Sequence, residues 1–310
     1  MDRFEAMRTL LAAVDGGSLS AASRRLGIPL PTVSRRVSDL EAHLRTQLVI
    51  RTSRKLLLTE AGSAYVAACR QIIDQLDDAE RLASGEYRMP RGELLVTAPV
   101  MFGRLHVEPV VLDFLAAYPD ISVRLTLSDA MVDIVESRID LAVRIGDLPD
   151  SGLVARRLGA VRWITCASPA YIARRGQPST PDELADHDSI GFERLHTDTT
   201  WSFAGEHGAR SVTVRPRFSV NTASGAIDAA LAGAGIVRVL SYQAASAIAE
   251  RQLVKVLEMF ETEPHPVHLI HNPQPILPLK LRAFLDFSAP RLKASLEDAA
   301  DARVRSNGRL

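Results

Sequence analysis

A few side-chain groupings in this sequence of 310 residues have the types that catalysis or metal binding requires. His265, His268 and His271 are spaced by threes, but neighbouring histidines at that spacing on a strand point to opposite faces and cannot share a metal ion. The Gly-x-Gly at 232–237 follows a helical pattern and precedes a strand, the reverse of a dinucleotide-binding fingerprint. No motif places a base near Ser168. We therefore predict no enzymatic activity, no metal site and no cofactor.

The stretch AASRRLGIPLPTVSRRVSDLEAHL, residues 21–44, carries four arginines that suggest a different chemistry. The whole chain has 37 basic and 37 acidic residues, yet the window from Ser20 to Lys55 has eight basic and only two acidic ones. Such a sustained surplus of positive charge favours the binding of a polyanion. A solvated helical face is the alternative interpretation, and the spacing of the flanking residues distinguishes the two.

Short helices are predicted to position these arginines. Apolar residues recur at helical spacing from Phe4 to Val14 and predict a first helix that the Asp-Gly-Gly at 15–17 ends. Ser18 is suited to cap a second helix, LSAASRRL, and Gly27 to turn the chain after it.

The third predicted helix has one apolar stripe and one polar face. Pro31 fits its first turn, where a missing N–H has no cost. The apolar stripe consists of Val33, Val37, Leu40 and Leu44, which leaves Thr32, Ser34, Arg35, Arg36 and Asp39 on the other faces. Two short helices around a glycine turn predict a helix-turn-helix over residues 19–38.

The second helix of such a motif enters the major groove of DNA by its N-terminal end, where Arg35 can form two hydrogen bonds with a guanine. Two strands, LVI (48–50) and LLL (56–58), predict a hairpin with a basic tip, a wing that can follow phosphates or enter the minor groove. The predicted DNA-contacting residues are Ser18, Ser20, Pro31, Thr32, Ser34, Arg35, Arg36, Arg51, Arg54 and Lys55.

A long helix is predicted after Thr59, a good helix cap. Its apolar residues step by four and three, the period of a coiled-coil seam, and a seam without a partner in its own chain predicts a homodimer. An amphipathic helix lying on its own domain is the alternative. The predicted dimerisation residues are Tyr65, Cys69, Ile72, Leu76 and Ala79.

Strand and helix patterns alternate over the last two thirds of the chain and predict parallel sheets in an α/β fold. The strands are ELLVTAP, ISVRLTLSD, DLAVRIG, VRWITCAS, SVTVRP, GIVRVL and PVHLIH; the helices cover 102–117, 130–139, 169–176, 221–233 and 279–292. The two cysteines, Cys69 and Cys166, are predicted to be buried small hydrophobic residues and not to form a disulfide or metal site.

The segment GSLSAASRRLGIPLPTVSRRVSDLEAHLRTQLVIRTSRKLLLTEAG resembles the N-terminal winged domain of the LysR-type transcriptional regulators. The likeness continues through APVMFGRLHVEPVVLDFLAAYPDI, SRIDLAVRIGDLPDSGLVARRL and CASPAYIARRGQPSTPDELADH, and so covers nearly the whole chain. It implies a regulator that binds an interrupted palindrome of double-stranded DNA as a homodimer or homotetramer, with RNA polymerase as a partner. Where the family usually has Ser-Gln before the helix proline, this chain has Pro29 and Leu30, which removes a helix cap and an amide that often contacts adenine.

The resemblance also implies a two-lobed fold of the periplasmic-binding-protein type with a small-molecule effector in the cleft between the lobes. Among the residues predicted for the effector site, Arg144 carries the one fixed positive charge and could pair with a carboxylate. Its alternative role is a structural salt bridge. Met101 replaces the small hydroxyl residue that the family often has at that helix start. By analogy, strand ends and helix N-termini supply the effector site: Pro99, Val100, Met101, Phe102, Ser128, Asp129, Arg144, Gly146, Asn221, Ser224, Gly235 and Ile236.

The predicted organisation is an α/β protein with a mainly helical winged helix-turn-helix domain at 1–59, a linker helix and hinge at 60–90, and a two-lobed effector-binding domain at 91–300. One lobe comprises 91–161 with 268–300, and the other comprises 162–267. A solute-binding protein is the alternative function, but it would need export and would not use the basic wing. The acidic residues in MDRFEAMRTLL and the lack of a long apolar run predict a cytoplasmic protein without a membrane segment.

Overall fold

The computed structural model describes residues 2–51, 56–83, 89–130, 134, 137, 139–148, 152–192, 200–205, 208–274 and 277–307. Within those ranges the side chains at 51, 71, 74, 75, 78, 79, 81–83 and 298–307 are not described. The chain divides into two compact units, Met1–Met89 and Pro90–Leu310.

The first unit is built from four helices and a two-stranded hairpin. Asp2 caps the first helix by accepting a hydrogen bond from the N–H of Phe4 (2.9 Å), and Ser18 caps the second by accepting from the N–H of Ala21 (3.1 Å). The elements are α1 (Arg3–Asp15), α2 (Leu19–Leu26), α3 (Leu30–Leu44), β1 (Val49–Arg51), β2 (Leu56–Leu58) and α4 (Glu60–Ala83).

The sequence predictions for these elements are confirmed. Gly27 ends α2 in the left-handed conformation (φ 66°), and Pro31 lies in the first turn of α3. Val33, Val37 and Leu40 of the predicted stripe are fully buried, whereas Leu44 is half-buried.

Two hydrophobic clusters hold the first unit together, and both need α3. One joins α1 and α3 to the hairpin and α4 through Leu10, Val37, Leu40, Leu48 and Val66. The smaller one joins α1, α2 and α3 through Ala12, Ala13, Ala22 and Val33. Because small alanines lie at the second contact, α2 can approach α1 closely, which fixes the angle between the two helices of the motif.

The second unit contains two five-stranded sheets with helices packed against them. The strands of the first sheet are β3 (Gly92–Ala98), β4 (Ile121–Leu127), β5 (Leu141–Ile145), β6 (Val154–Val161) and β14 (His265–His271), in the order β4–β3–β5–β14–β6. Those of the second are β7 (Trp163–Ala167), β8 (Ser189–Phe192), β11 (Pro216–Val220), β12 (Ile236–Leu240) and β13 (Val254–Val256), in the order β11–β8–β12–β7–β13. A separate hairpin pairs β9 (Thr200–Gly205) with β10 (Gly208–Thr213).

The helices of the second unit begin at α5 (Val100–Phe102), which continues through a π-helical turn, Gly103–Val107, into α6 (Glu108–Ala117). Short 3-10 helices cover Pro181–Asp186 and Glu258–Phe260. The remaining helices are α7 (Pro169–Arg175), α8 (Ala223–Leu231), α9 (Ala245–Ala249) and α10 (Leu279–Asn307).

The predicted parallel pairing is confirmed for half of each sheet. β3 runs parallel to β4 and β5, and β8 runs parallel to β11 and β12. The remaining strands, β14, β6, β7 and β13, pair antiparallel with their neighbours. The chain crosses from the first sheet to the second between β6 and β7 and returns with β14 at His265.

Two sequence predictions for this unit require comment. The first three residues of the predicted strand SVTVRP, 211–213, belong to β10 of the separate hairpin, so that prediction is wrong about its place: the sheet strand is β11, which begins at Pro216. The helix predicted at 130–139 falls largely outside the described residues. Both cysteines are free and buried, as predicted, and burial raises the pKa of the Cys166 thiol to about 12.

The core of the second unit spans both sheets. Its largest cluster joins Phe102 and Phe114 of the first lobe's helices to Phe284 of α10 and to Val237 of β12. A second cluster, which includes Tyr171, Trp201, Phe203 and Ile236, lies on the other face of the second sheet. Among the described helices, none is both long and apolar enough to cross a membrane.

Candidate DNA-binding surface and effector cleft

The turn between α2 and α3 is tightly fixed by hydrogen bonds. The hydroxyl of Ser23 donates to the carbonyl oxygen of Ile28 (2.7 Å), and the N–H of Ile28 donates to the carbonyl of Ser23 (3.3 Å). Gly27 lies between them in a conformation that glycine adopts without strain. The turn therefore holds the start of α3 in a defined orientation.

The N-terminal face of α3 is open to solvent where DNA contacts are predicted. Pro31 and Arg35 are exposed, and Thr32 and Ser34 are half-buried. The residue preceding the helix is Pro29, and no side chain caps the helix there, as the departure from the Ser-Gln pair predicts. The N–H groups of Thr32 (2.9 Å) and Val33 (3.2 Å) donate instead to the backbone carbonyl of Pro29, and Pro31 has no N–H.

Arg36 has a different environment from Arg35, although both belong to the predicted set. Its Nη1 donates to a carboxylate oxygen of Glu5 on α1 (2.9 Å) and to the hydroxyl of Thr9 (3.4 Å). Its side chain is 29% exposed and that of Glu5 is 48% exposed. This arginine therefore joins α3 to α1 in the described conformation.

Ser18 and Ser20 lie at the start of α2. The hydroxyl oxygen of Ser18 accepts the hydrogen bond that caps α2, so its O–H can still donate to another group. Ser20 is exposed. Of the predicted wing residues, Arg54 and Lys55 and the side chain of Arg51 lie outside the described residues.

Glu41 anchors the hairpin to α3, a role that the sequence reasoning missed. One carboxylate oxygen accepts hydrogen bonds from the backbone N–H groups of Leu48 (2.8 Å) and Val49 (3.0 Å). The N–H of Leu56 donates to the carbonyl of Gly17 (3.4 Å). Because an acidic residue on an exposed helix face is usually solvated, no pattern in the sequence pointed to this bond.

The long helix α4 requires a correction to the predicted seam. Thr59 caps the helix through the N–H of Gly62 (2.8 Å), as predicted. However, Cys69 is fully buried within its own unit, and burial raises the pKa of half-buried Tyr65 to about 12. Cys69 therefore belongs to the face that packs on the unit's own core and is not available to a second chain.

Two ion pairs confirm which face of α4 contacts the unit's own helices. Arg70 pairs with Asp15 at the end of α1 (2.5 Å), and Asp77 pairs with Arg8 (2.7 Å). Ile73 is buried, while Ile72 is 40% exposed and Leu76 is half-buried. The side chain of Ala79 is not described. The exposed apolar stripe of α4 is thus narrower than the predicted one.

The helix start at 99–102 also requires correction. Phe102 is fully buried, with its ring 4.7 Å from that of His106 and 5.3 Å from that of Tyr242, so its side chain is part of the core and not of the cleft. Met101 is 8% exposed and belongs to the same cluster. Pro99 is buried and Val100 half-buried.

The side chain of Asp129 places a carboxylate at the start of α5. It accepts a hydrogen bond from the N–H of Val100 (3.2 Å), and the hydroxyl of neighbouring Ser128 accepts from the N–H of Ala130 (3.1 Å). An anionic ligand at this helix N-terminus would therefore lie beside a negative charge.

The other residues predicted for the effector cleft lie at strand ends and at one helix start. Arg144 and Gly146 are half-buried at the end of β5, Asn221 is exposed before α8, and Ser224 is half-buried in its first turn. Gly235 packs so closely on the backbone of Asp188 that a Cβ would overlap its carbonyl. Ile236 is fully buried in the cluster on the far face of the second sheet, so its predicted contact with an effector is wrong.

These features define a class of protein: a winged helix-turn-helix unit and a two-sheet α/β unit in one chain. The chain matches the family model of the bacterial regulatory helix-turn-helix proteins of the LysR family over residues 4–63 and that of the LysR substrate binding domain over residues 88–293. The chain belongs to the LysR family of transcriptional regulators. Among the described residues, no cluster of histidine, cysteine and acidic side chains could hold a metal ion.

Similar proteins cover nearly the whole chain. An HTH-type transcriptional repressor of Pseudomonas aeruginosa is 34% identical over 93% of this chain and 91% of its own length. The solved structure of CrgA, a LysR-type transcriptional regulator from Neisseria meningitidis, is 31% identical, covers 93% of this chain and 98% of that one, and superimposes with a TM-score of 0.61. The full-length Vibrio cholerae virulence activator AphB is 28% identical with a TM-score of 0.59, covering 93% and 98%.

Proposed function

We propose that this regulator binds its operator as a homodimer that presents two α3 helices to half-sites of an interrupted palindrome. The observation that carries the proposal is the exposed N-terminal face of α3, held by the Gly27 turn and two hydrophobic clusters. A rigid helix with an exposed arginine near its N-terminal end matches the shape and charge of the major groove.

Within this face, Arg35 supplies the base contact and Thr32 and Ser34 supply contacts to bases or phosphates. Pro31 packs against the DNA backbone, while Ser18 and Ser20 contact DNA phosphates beside the start of α2. Arg36 acts first as the link to α1, and its remaining donors face the edge of the interface. The proposed wing contacts are Arg51, Arg54 and Lys55.

The test compares Arg35→Ala and Arg35→Lys on operator fragments and on random DNA. Loss of a bidentate base contact should cost about 1 to 3 kcal/mol on operator DNA and relax preference at one base position. Lysine keeps the charge but not the fork, so Arg35→Lys should retain binding to random DNA while losing the preference. Equal losses on both DNAs for Arg35→Ala, with full recovery by lysine, would make Arg35 a phosphate contact.

The second unit is proposed to bind a small-molecule effector between its sheets. The proposed polar contacts to the effector come from Ser128, Arg144, Asn221 and Ser224, and Gly146 leaves space for close approach to its backbone. Since Asp129 already occupies the start of α5, the proposed effector places any negative charge toward Arg144. Binding affects regulation only when the effector favours one assembly geometry over another.

The proposal further includes pairing of dimers into a tetramer, contact with RNA polymerase, and a cytoplasmic location, where bacterial operator DNA lies. These three statements rest on membership of the family. Sedimentation of the protein with and without operator DNA would distinguish the dimer from the tetramer. Sequencing of the DNA fragments retained by the protein would identify the operator.

A further inference from the structure

A cavity of about 410 Å³ lies beside β12 in the second unit. Its walls include Trp163, Phe192, Trp201, Arg238 and Thr262, and none of its lining residues belongs to the predicted effector set. This volume is within the range of pockets that hold small organic molecules. Trp163, Phe192 and Trp201 form its apolar walls, and the other lining residues are polar or charged.

Arg238 is a buried cation on this wall. It is only 9% exposed, and its Nη1 has no hydrogen-bond partner among the described residues. Burial lowers the pKa of Arg238 to about 10, with nearby Glu261 opposing part of the shift, so the guanidinium remains protonated at neutral pH. A buried charge with an unused donor is costly unless an acceptor reaches it.

The aromatic side chains around Arg238 stabilise the charge only in part. The guanidinium carbon lies 4.5 Å from the ring centre of Phe203 and 6.0 Å from that of Trp163. These cation–π contacts attract the charge but accept no N–H hydrogen bond. The in-plane donor of Arg238 therefore stays available to an anionic oxygen.

Thr262 contributes a second polar atom to the same cavity. Its Oγ1 is buried and, within the described part of the chain, has no hydrogen-bond partner. A hydroxyl can donate to an anionic oxygen, so Arg238 and Thr262 together offer two donors of the kind that a carboxylate accepts.

The charge at the cavity favours an anion. Glu261, the acid that acts on the charge of Arg238, is itself paired with Lys255 (3.9 Å). Glu263 lines the cavity, but it is exposed and therefore screened by water and salt, whereas Arg238 is buried. Trp163 stands nearly perpendicular to the ring of His265, with 6.5 Å between ring centres. The flat faces of Trp163, Phe192 and Trp201 suit an aromatic ring.

We propose that this cavity binds a small aromatic carboxylate, whose carboxylate accepts hydrogen bonds from Arg238 and Thr262 and whose ring packs on the tryptophans. The ligand would lie between Trp201, which belongs to the cluster of Phe203 and Ile236, and Trp163 and Phe192, which pack against the larger core cluster. None of the residues that line the cavity belongs to the set proposed for the effector cleft. This inference uses only the second unit, so it does not depend on how α3 contacts DNA.

The composition of the chain supplies the assay, since both of its tryptophans, Trp163 and Trp201, line the cavity. Full-length protein is titrated with benzoate, benzamide and cyclohexanecarboxylate while tryptophan emission is recorded. We expect a saturable change with benzoate and binding at least about tenfold weaker for benzamide, which lacks the charge that strengthens the hydrogen bonds to arginine. Equal affinities for benzoate and benzamide, or a response that does not saturate, would overturn the proposal.

Three variants locate the ligand. Arg238→Met replaces the buried cation by an apolar side chain of similar length, which folded proteins tolerate, and should weaken benzoate binding at least about tenfold. Arg217→Met is the matched control, because Arg217 is 78% exposed on β11 and lies outside the cavity. Ser224→Phe fills the proposed effector cleft and should leave the benzoate response intact.

The outcomes separate this inference from the proposed regulatory function. A benzoate response lost in Ser224→Phe but kept in Arg238→Met would place the ligand in the cleft and refute the cavity. If Arg238→Met fails to fold, Thr262→Val provides the same test through the second donor. Operator binding measured without benzoate reports on the proposed DNA-binding surface and its dimer, so neither its loss nor its retention bears on whether the cavity holds the ligand.

Discussion

At the scale of single residues, two adjacent arginines of α3 differ in their side-chain contacts. Arg35 is exposed, whereas Arg36 pairs with Glu5, 31 positions away along the chain. Both side chains of the pair are partly exposed, so the bond contributes at most about 1 kcal/mol to stability. Its main effect is to direct Arg36 toward α1 and leave Arg35 as the arginine that faces outward.

The helical period predicted that both arginines lie off the apolar stripe, and this is correct. It could not predict the partner, because Glu5 reaches Arg36 only after α1 and α3 have packed. The same limit explains Phe102: its position at a helix start suggested a cleft residue, but the direction of its side chain depends on His106 and Tyr242.

Two glycines of the first unit give a prediction at this scale. At Gly27 an added Cβ would meet no atom within 4 Å, so Gly27→Ala carries only the strain of a positive φ, about 1 to 2 kcal/mol. At Gly62 an added Cβ would overlap the carbonyl oxygen of Leu48, so Gly62→Ala should cost about 3 kcal/mol or more. Hydrogen exchange of peptides from residues 1–89 of the full chain measures both losses.

The comparison is informative because helix propensity alone favours alanine at Gly62 by about 1 kcal/mol. A stabilised Gly62→Ala protein would show that α4 does not pack closely on the strand at Leu48. A Gly27→Ala protein as damaged as Gly62→Ala would show that the turn carries more than its backbone strain.

At the scale of elements, α4 has two apolar faces, and only one of them lies on its own unit. The heptad steps placed Tyr65, Cys69, Ile72 and Leu76 on a single seam, but Cys69 and Ile73 are buried within the chain and Ile72 is exposed. The sequence period shows that a helix is amphipathic without showing which apolar residues meet the same domain. The interpretation of α4 as a helix lying on its own domain therefore applies to the face of Cys69 and Ile73, and the seam stays a prediction for the face of Ile72.

A prediction follows for the exposed face of α4. Changing Ile72 and Leu76 together to Asp should convert the proposed dimer into monomers, since charges at a coiled-coil contact lose apolar burial and must be desolvated. Ser63→Asp is the matched control, because Ser63 is exposed on the opposite side of the helix, where the added charge lies in the first turn. Sedimentation velocity distinguishes the species. A double variant that sediments like the parent would refute the seam.

The sheets were predictable in composition but not in order. The apolar runs identified β3, β5, β7, β12 and β14 because these strands lie inside the sheets and carry nearly continuous hydrophobic sequence. The edge strand β4 was recognisable by its alternation of apolar and polar residues. β6 and β11 are mostly exposed along their length and lack that pattern. Antiparallel return of β14 between β5 and β6 joins residues more than a hundred positions apart, which no local pattern encodes.

At the scale of the whole molecule, the two units have separate hydrophobic cores, so they can unfold in separate transitions. Both tryptophans belong to the second unit, and their emission therefore follows its unfolding and not that of the helix-turn-helix. This separation allows a stability change to be assigned to one unit in the intact chain.

A pH prediction uses that separation. Burial lowers the pKa of His106 in the second unit; burial, followed by Arg175, lowers that of His187, and burial, followed by Arg157, lowers that of His268. Each histidine regains its ordinary pKa of about 6.5 on unfolding, so below that pH the unfolded chain binds more protons than the folded one. The second unit should therefore lose stability as pH falls from about 7 toward 6, before most carboxylates titrate.

The measurement is urea unfolding followed by tryptophan emission at several pH values in this window. His106 is 8% exposed, and its Nδ1 lies 2.7 Å from the hydroxyl oxygen of Ser295, so His106→Asn should flatten the pH dependence even if it lowers stability overall. Because the three lowered pKa values have burial as their largest cause, salt should alter the slope little. Stability that rises as pH falls through this window would contradict the burial of these imidazoles and, for His106, the packing of the π-helical turn Gly103–Val107 against α10.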